Sequence, residues 1–312
     1  MKVIEATDVH RVLTFPELVE TIRATFGQPA GTPRRTLYHL REDDPFQDAF
    51  AVLPAWSAEV IGVKAFTYMP SNAAKGRPIL HSKILLFDRE TGAPLALVDG
   101  TSVTYWRTAA VAALAADYLA RKDAKTLLIC GTGNLAPYMT LAHASVRSYD
   151  DIAIWGRNAA NAATAVDAVK AKRPELRVRV VTDLEAAVRA ADVISCATAS
   201  KLPVILGAWV QPGTHTDFIG NHERQHRETD TELVVKSRVY VDSRANTMNE
   251  AGEILLPIEE GRITEDHVIG ELADLCSGRV GARQDADEIT LFKSVGTALS
   301  DLAAASLVTQ RQ

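Results

Sequence analysis

The stretch Thr126-Leu127-Leu128-Ile129-Cys130-Gly131-Thr132-Gly133-Asn134-Leu135-Ala136 decides how the chain is read. Residues 126–130 are a short apolar run, the length of a strand buried on both faces. The spacing predicts a glycine turn after it and a helix from Leu135 onward. Gly131 allows the tight turn, Gly133 lets the backbone approach a pyrophosphate, and Ala136 is small enough for helix to pack on strand. Free N–H groups at such a helix start, at the positive end of its dipole, attract phosphate. A G-x-G-x-x-A string is weak by itself. A strand before it and a helix after it are the context that a dinucleotide-binding unit requires.

Downstream the alternation is regular. Strands are expected at 126–130, 151–155, 178–181, 193–196, 214–219 and 238–242, and helices at 135–146, 158–172 and 184–190. This pattern predicts an α/β fold with a doubly wound parallel sheet of Rossmann type. The second strand ends at Trp155-Gly156-Arg157-Asn158. NAD-binding units place an acidic residue near this point to hold the ribose hydroxyls. Here no Asp or Glu follows until Asp167. Arg157 can instead pair with a 2′-phosphate and lie along an adenine face, which favours NADP(H) over NAD(H). Residues 243–287 read as irregular, 288–292 as a strand, and 297–310 as an amphipathic helix carrying Leu299, Leu302 and Leu307.

Upstream of the glycine turn the pattern changes. A helix is expected over 14–26, capped by Thr14, with Leu18, Val19, Ile22 and Phe26 on its buried side. A charged loop follows at 41–48. Short strands at 60–68, 83–88 and 94–98, joined by turns, suggest an antiparallel or mixed sheet. Lys64 stands among apolar residues in the first of these. Burying an unpaired ammonium is costly, so Lys64 is either a group on the wet face of an edge strand or a functional one. A helix is expected over 101–120, with Arg107 and Thr108 opening it. A cation at that end opposes the dipole, so Arg107 is either solvated or facing an anion.

The chain has 312 residues, 47% hydrophobic and 23% charged, with a formal net charge of −5. That balance argues against nucleic acid or an anionic membrane as the main partner. No signal-peptide pattern opens the sequence and no apolar run reaches membrane-spanning length. Cys130, Cys196 and Cys276 lack metal-site spacing and read as reduced thiols of a cytoplasmic protein. His222-Glu223-Arg224-Gln225-His226 matches the zinc-peptidase string H-E-x-x-H. Zinc chemistry needs both histidines on one face of a docked helix. No large apolar residue between Asn221 and Glu232 could dock one, so no metal is expected.

Several separated motifs together resemble the ornithine cyclodeaminase/mu-crystallin family along nearly the whole chain. They are Pro33-Arg34-Arg35-Thr36, Gly62-Val63-Lys64, Leu86-Phe87-Asp88 with Thr91-Gly92, and Arg107-Thr108-Ala109-Ala110. The Gly131 turn, Trp155-Gly156-Arg157-Asn158, Arg227-Glu228 with Asp230, and Leu291 to Gly296 complete the set. The resemblance implies a homodimer acting on a small amino or imino acid. It implies a substrate-binding and dimerisation domain from 1–117 with 297–312, and a Rossmann domain over 118–296. It also implies that Arg35, rather than Arg34, and Arg107 hold the substrate carboxylate while Lys64 sits at the reacting nitrogen. Cofactor contacts are expected from Thr108, Gly131, Thr132, Gly133, Asn134, Leu135, Arg157, Asn158, Thr198, Ser294 and Val295.

The sequence departs from the family in places. His222 occupies the position of the aspartate that ornithine cyclodeaminases carry, Arg224 replaces a usual proline, and Leu135 replaces a frequent glutamine. The missing aspartate weakens ornithine cyclodeamination and Arg157 weakens NAD. Together they point to an NAD(P)(H)-dependent imine reductase or amino-acid dehydrogenase. The alternatives are a cyclodeaminase converting L-ornithine to L-proline and ammonia with bound NAD, and a non-catalytic, crystallin-like NADP(H)-binding protein. The loop at 41–48 and the segment 221–226 are expected to shape the pocket.

Overall fold

A computed structural model describes residues 1–41 and 48–312. The charged loop expected at 41–48 falls almost wholly outside the described residues. The chain divides into two compact units: Met1–Arg107 with Thr297–Gln312, and Thr108–Gly296. The first break lies ten residues before the boundary expected from sequence. It falls within one helix, which the apolar run 109–116 carries through without interruption.

The first unit begins with β1 (Lys2–Ile4), α1 (Ala6–Val12) and α2 (Phe15–Phe26), followed by β2 (Thr36–His39), β3 (Ala49–Trp56) and β4 (Val60–Tyr68). It continues through β5 (Leu80–Asp88) and β6 (Pro94–Asp99) into α3 (Gly100–Leu119). Among the described residues its sheet runs β1-β6-β5-β4-β3-β2. β1 lies parallel to β6 and the remaining pairs are antiparallel, so the sheet is mixed. Thr14 stands at the N-cap of α2 without making a side-chain capping bond, contrary to expectation. The helix is held instead by its apolar side, where Leu18, Val19, Ile22 and Phe26 are buried.

The second unit holds β7 (Thr126–Cys130), α4 (Leu135–Val146), β8 (Asp151–Trp155), α5 (Ala159–Lys172), β9 (Val178–Val181) and α6 (Leu184–Ala190). Next come β10 (Val193–Cys196), β11 (His215–Phe218), α7 (Thr231–Lys236) and β12 (Ser237–Val241). The irregular stretch of the sequence reading contains α8 (Arg244–Glu250), α9 (Gly252–Glu259), β13 (Val268–Glu271) and α10 (Leu272–Ser277), before β14 (Ile289–Lys293). Its short helices were illegible because each spans only about two turns, too few to establish a period. The chain closes with α11 (Ala298–Arg311), which belongs to the first unit.

The sheet of the second unit runs β13-β12-β14-β11-β10-β7-β8-β9 and every pair is parallel. This is a Rossmann-type α/β sheet. Strand order reverses between β7 and β10, which is the switch point where such sheets bind ligands outside the carboxyl ends of their strands. Every residue of β10 is buried, including Cys196, and Cys130 ends β7 equally buried. No helix among the described residues is long and apolar enough to cross a membrane.

Candidate active site

In the first unit, β4 lies between β3 and β5, so Lys64 is on an inner strand and not at a wet edge. It occupies the cross-strand row Leu53, Lys64, Ile84, Val98, whose other members are all buried and apolar. Lys64 is itself only 4% exposed. α11 packs across β3, β4 and β5 over this face. It approaches closely at Gly62, where an added Cβ would lie 2.6 Å from Leu302 Cδ1. That close approach brings Asp301, the neighbour of Leu302, down onto the lysine.

Lys64 Nζ donates to Asp301 Oδ1 at 3.0 Å and to Thr104 Oγ1 at 2.6 Å. The Thr104 hydroxyl donates its own proton to the Gly100 carbonyl at 2.7 Å, so towards Lys64 it acts as acceptor. An ammonium has three N–H bonds. One therefore remains for a further acceptor. Asp301 Oδ1 also accepts from Arg107 Nε at 3.0 Å. Asp301 is 1% exposed and its Oδ2 has no hydrogen-bond partner.

Arg107 does not open its helix. α3 starts at Gly100, where Asp99 Oδ1 accepts the Ser102 N–H at 2.8 Å, so Arg107 lies two turns inside. The dipole argument does not apply to it, and it is buried against Asp301 and not solvated. Arg35 is half-buried just before β2, whereas Arg34 is exposed. Burial lowers Lys64 from an ordinary 10.5 to about 8. Asp301 opposes that shift, while the Arg107 and Arg35 charges add to it. Two cations thus share one carboxylate, and a third charge, Arg35, acts on Lys64. Such a group of donors in a buried setting is built to accept a further anion.

In the second unit, the residues expected at a cofactor follow the carboxyl ends of β7, β8, β10 and β14. Gly131 has φ +123°, and an added Cβ would come within 2.5 Å of the Ala197 carbonyl after β10. Gly133 is exposed and an added Cβ would meet nothing within 4 Å, so the turn offers open backbone. No acidic side chain occupies the first turn of α4. These features fit a dinucleotide phosphate at Gly131 to Leu135. Thr132 packs against Gly156, where a Cβ would lie 2.3 Å from its Cγ2, which places Arg157 and Asn158 beside the turn. Asn158 caps α5 by accepting the Ala160 N–H at 2.9 Å. Arg157 is exposed and makes no hydrogen bond or ion pair among the described residues. Thr108 is buried in α3.

Other expected positions are held by two carboxylates: Glu228, part of the Arg227-Glu228 motif but given no role from sequence, and Asp242, which the sequence did not single out. Glu228 is fully buried. It accepts the Thr198 hydroxyl at 2.7 Å and the Thr198 N–H at 2.5 Å on Oε1, and the Gly220 N–H at 2.7 Å on Oε2. Asp242 Oδ2 accepts the Ser294 hydroxyl at 2.7 Å, the Val295 N–H at 3.0 Å and the Gly296 N–H at 2.7 Å. The polar groups of Thr198 and Ser294 therefore shape their own loops. Lys293 Nζ pairs with Glu253 Oε2 at 2.9 Å and donates to the Asn221 carbonyl at 2.8 Å. Burial raises the pKa of Glu228, and Lys293 opposes the rise.

The segment 221–226 is extended and turned with no helix, so His222 and His226 do not share a helix face. No cluster of metal-ligating side chains forms among the described residues. Asp301 and Thr104 are the residues that sequence reasoning missed. The signal for Asp301 was an acid lying between Leu299 and Leu302 in an amphipathic helix. The signal for Thr104 was its place one turn before Arg107.

The sequence profile of the ornithine cyclodeaminase/mu-crystallin family matches residues 1–312. The chain is 49% identical to a Delta(1)-pyrroline-2-carboxylate reductase of Colwellia psychrerythraea, over 100% of this chain and 99% of that one. Its fold matches the Thermococcus litoralis Delta(1)-pyrroline-2-carboxylate reductase solved with NADH and L-proline, with a TM-score of 0.93 and 33% identity, covering 100% and 97% of the two chains. It also matches an archaeal alanine dehydrogenase dimer with bound NAD, with a TM-score of 0.91 and 27% identity, covering 99% and 95%.

Proposed function

This chain belongs to the ornithine cyclodeaminase/mu-crystallin family, and on that premise we propose that it reduces Delta(1)-pyrroline-2-carboxylate to proline. It is an enzyme, an NAD(P)(H)-dependent oxidoreductase acting on a small α-imino or α-amino acid. The observation that carries the finer reading is the excess of positive charge around Asp301. Lys64 and Arg107 share one protein carboxylate, Arg35 adds positive charge at Lys64, and a substrate carboxylate supplies the missing anion. The 49% identity to a reductase of this substrate supports the choice of imino acid.

In this reading Arg35 and Arg107 clamp the carboxylate with directed charge-assisted hydrogen bonds. That fixes the imine carbon and nitrogen, and holding reactants in register is the larger part of such a reaction. The remaining N–H of Lys64 points its proton at the imine nitrogen. The nitrogen lone pair takes the proton, the N–H electrons stay on Nζ, and the C=N pair moves to nitrogen as hydride reaches carbon. The bound dinucleotide supplies that hydride. The depressed pKa eases release of that proton, and because about 8 still lies above neutral pH, Lys64 is recharged from water afterwards.

Gly131 to Leu135 hold the pyrophosphate in this proposal, with Thr108 and the loops at Thr198, Ser294 and Val295, which Glu228 and Asp242 hold in shape, lining the rest of the cofactor site. Arg157, exposed beside the turn with no acidic residue near it in sequence, favours NADPH over NADH. The protein works as a homodimer. Supporting this, the sheet face opposite α11 carries the half-buried row Pro54, Val63, Leu85 and Leu97, an apolar surface suited to a second copy. The buried thiols of Cys130 and Cys196 suit the reducing cytoplasm.

The test is NADPH and NADH consumption with Delta(1)-pyrroline-2-carboxylate, beside ornithine with NAD. Rapid NADPH oxidation with proline as product supports the proposal. Proline and ammonia from ornithine, without net cofactor change, would replace it with cyclodeamination.

A further inference from the structure

Asp301 is unlike the other acids of the first unit. It lies in the first turn of α11, where the helix dipole favours a negative side chain. One oxygen, Oδ1, takes both Lys64 Nζ and Arg107 Nε at 3.0 Å. The other, Oδ2, is buried without a hydrogen-bond partner. The charged groups that face Lys64 are Asp301 from α11, Arg107 from α3 and Arg35 from the segment before β2. Thr104 is a neutral acceptor, Phe66 lies with its ring centroid 5.9 Å from Nζ, and the cross-strand neighbours Leu53 and Ile84 are apolar. Asp301 is thus the single group in this set that favours the charged lysine electrostatically.

We propose that Asp301 is a positioning residue for the reduction, keeping Lys64 charged as proton donor and fixing Arg107 for the substrate carboxylate through the same oxygen. This rests on the reductase reading above. The physical reason is competition. Burial and two arginines drive the proton off Lys64, and without Asp301 the lysine reaches the imine already neutral. Sharing Oδ1 also fixes the separation of ammonium and guanidinium, so that one substrate meets both. The direction of the test follows. Reduction needs the ammonium and fails as pH rises past the Lys64 pKa, whereas oxidation of L-proline needs the free amine and fails as pH falls below it.

The experiment compares wild type with Asp301→Asn. The amide keeps an oxygen in the place of Oδ1, and the position of Oδ2 makes no hydrogen bond that NH₂ would break. The Lys64 Nζ resonance in ¹⁵N-lysine-labelled protein, assigned by its absence in Lys64→Met, is titrated without substrate or cofactor. In D301N it should titrate at least about tenfold more acidic, the low end of what an opposite charge at this range does. The alkaline limb of reduction and the acidic limb of proline oxidation should move down together, and KM for the imino acid should rise. An unmoved Nζ titration and unmoved limbs, with only stability or kcat reduced, would make Asp301 structural and overturn the proposal. If D301N does not fold, Asp301→Glu keeps the charge. Its limbs should stay in place while KM rises, and limbs displaced as far as a tenfold change would also overturn the proposal. If wild type reduces no imino acid, the reductase reading fails, while the Nζ titration still decides whether Asp301 holds the charge on Lys64.

Discussion

Two buried lysines divide the molecule's chemistry between them. Lys64 and Lys293 both sit on strands, both are almost completely buried, and each lies within 3.0 Å of a carboxylate. Their surroundings are opposite in sign. Lys64 shares one aspartate with Arg107 and has Arg35 nearby, and one N–H bond stays in reserve. Lys293 answers two carboxylates, Glu253 directly and Glu228 through the buried field, and it also satisfies the Asn221 carbonyl. In the proposed reading, the cations around Asp301 take a further anion from outside. An excess of acids needs its lysine to stay folded. Burial of a lysine therefore says little about function until the charges around it are compared.

The same substitution at both positions tests that contrast. Lys64→Met removes the proposed proton donor, and reduction should fall by about 10³-fold, within the usual span for a lost general acid. Stability should hold, because Asp301 keeps Arg107 as partner and a desolvated ammonium is gone. In wild type the reduction rate should decline as pH rises through about 8, where Lys64 loses its proton. That decline should be absent from the residual activity of the variant. Lys293→Met should do the reverse. It leaves Glu228 and Glu253 buried together without a cation, and denaturant melts should show a loss of about 3 kcal/mol. Molecules that remain folded should keep a near-normal kcat. A stable but inactive Lys293→Met protein would break the comparison and move Lys293 into the reaction.

Arg35 sharpens the first half of the contrast. Arg35→Ala removes one arm of the proposed carboxylate clamp, and KM for the imino acid should rise about tenfold to a hundredfold, as for a lost charge-assisted hydrogen bond. Arg34→Ala, at the exposed neighbour, should leave KM alone. Equal effects at both positions would mean that general attraction, and no directed contact, recruits the substrate.

The two units also differ in how much of them the sequence reveals. β7, β8, β9 and β10 and the helices α4 and α6 lie where their patterns placed them, and β7 and β10 are the clearest because a strand buried on both faces is a compact apolar run. Lys64 is visible as an anomaly in such a run. What holds it is not visible, since its partner Asp301 lies 237 residues away and reaches it only because α11 returns over Gly62. Arg107 was misread for a related reason. The apolar stretch after it suggested a helix start, but Asp99 caps the helix two turns earlier. Glu228 is legible only as part of the Arg227-Glu228 motif and Asp242 not at all, because much of what each holds is backbone amide, which leaves no mark in a sequence.

Arg157 offers the mildest test. It has no hydrogen-bond or ion-pair partner among the described residues, so no described contact is lost with it. Arg157→Ala should leave the melting temperature unchanged. If Arg157 meets a 2′-phosphate, KM for NADPH should rise about tenfold while KM for NADH stays constant, because only NADPH carries the group that the guanidinium pairs with. If it lies along the adenine, both KM values should rise together, since both cofactors carry that ring. The related reductase solved with NADH makes this second outcome a direct challenge to the NADPH preference proposed here. An arginine that no other described residue holds responds chiefly to the cofactor, so the ratio of the two KM values isolates its role.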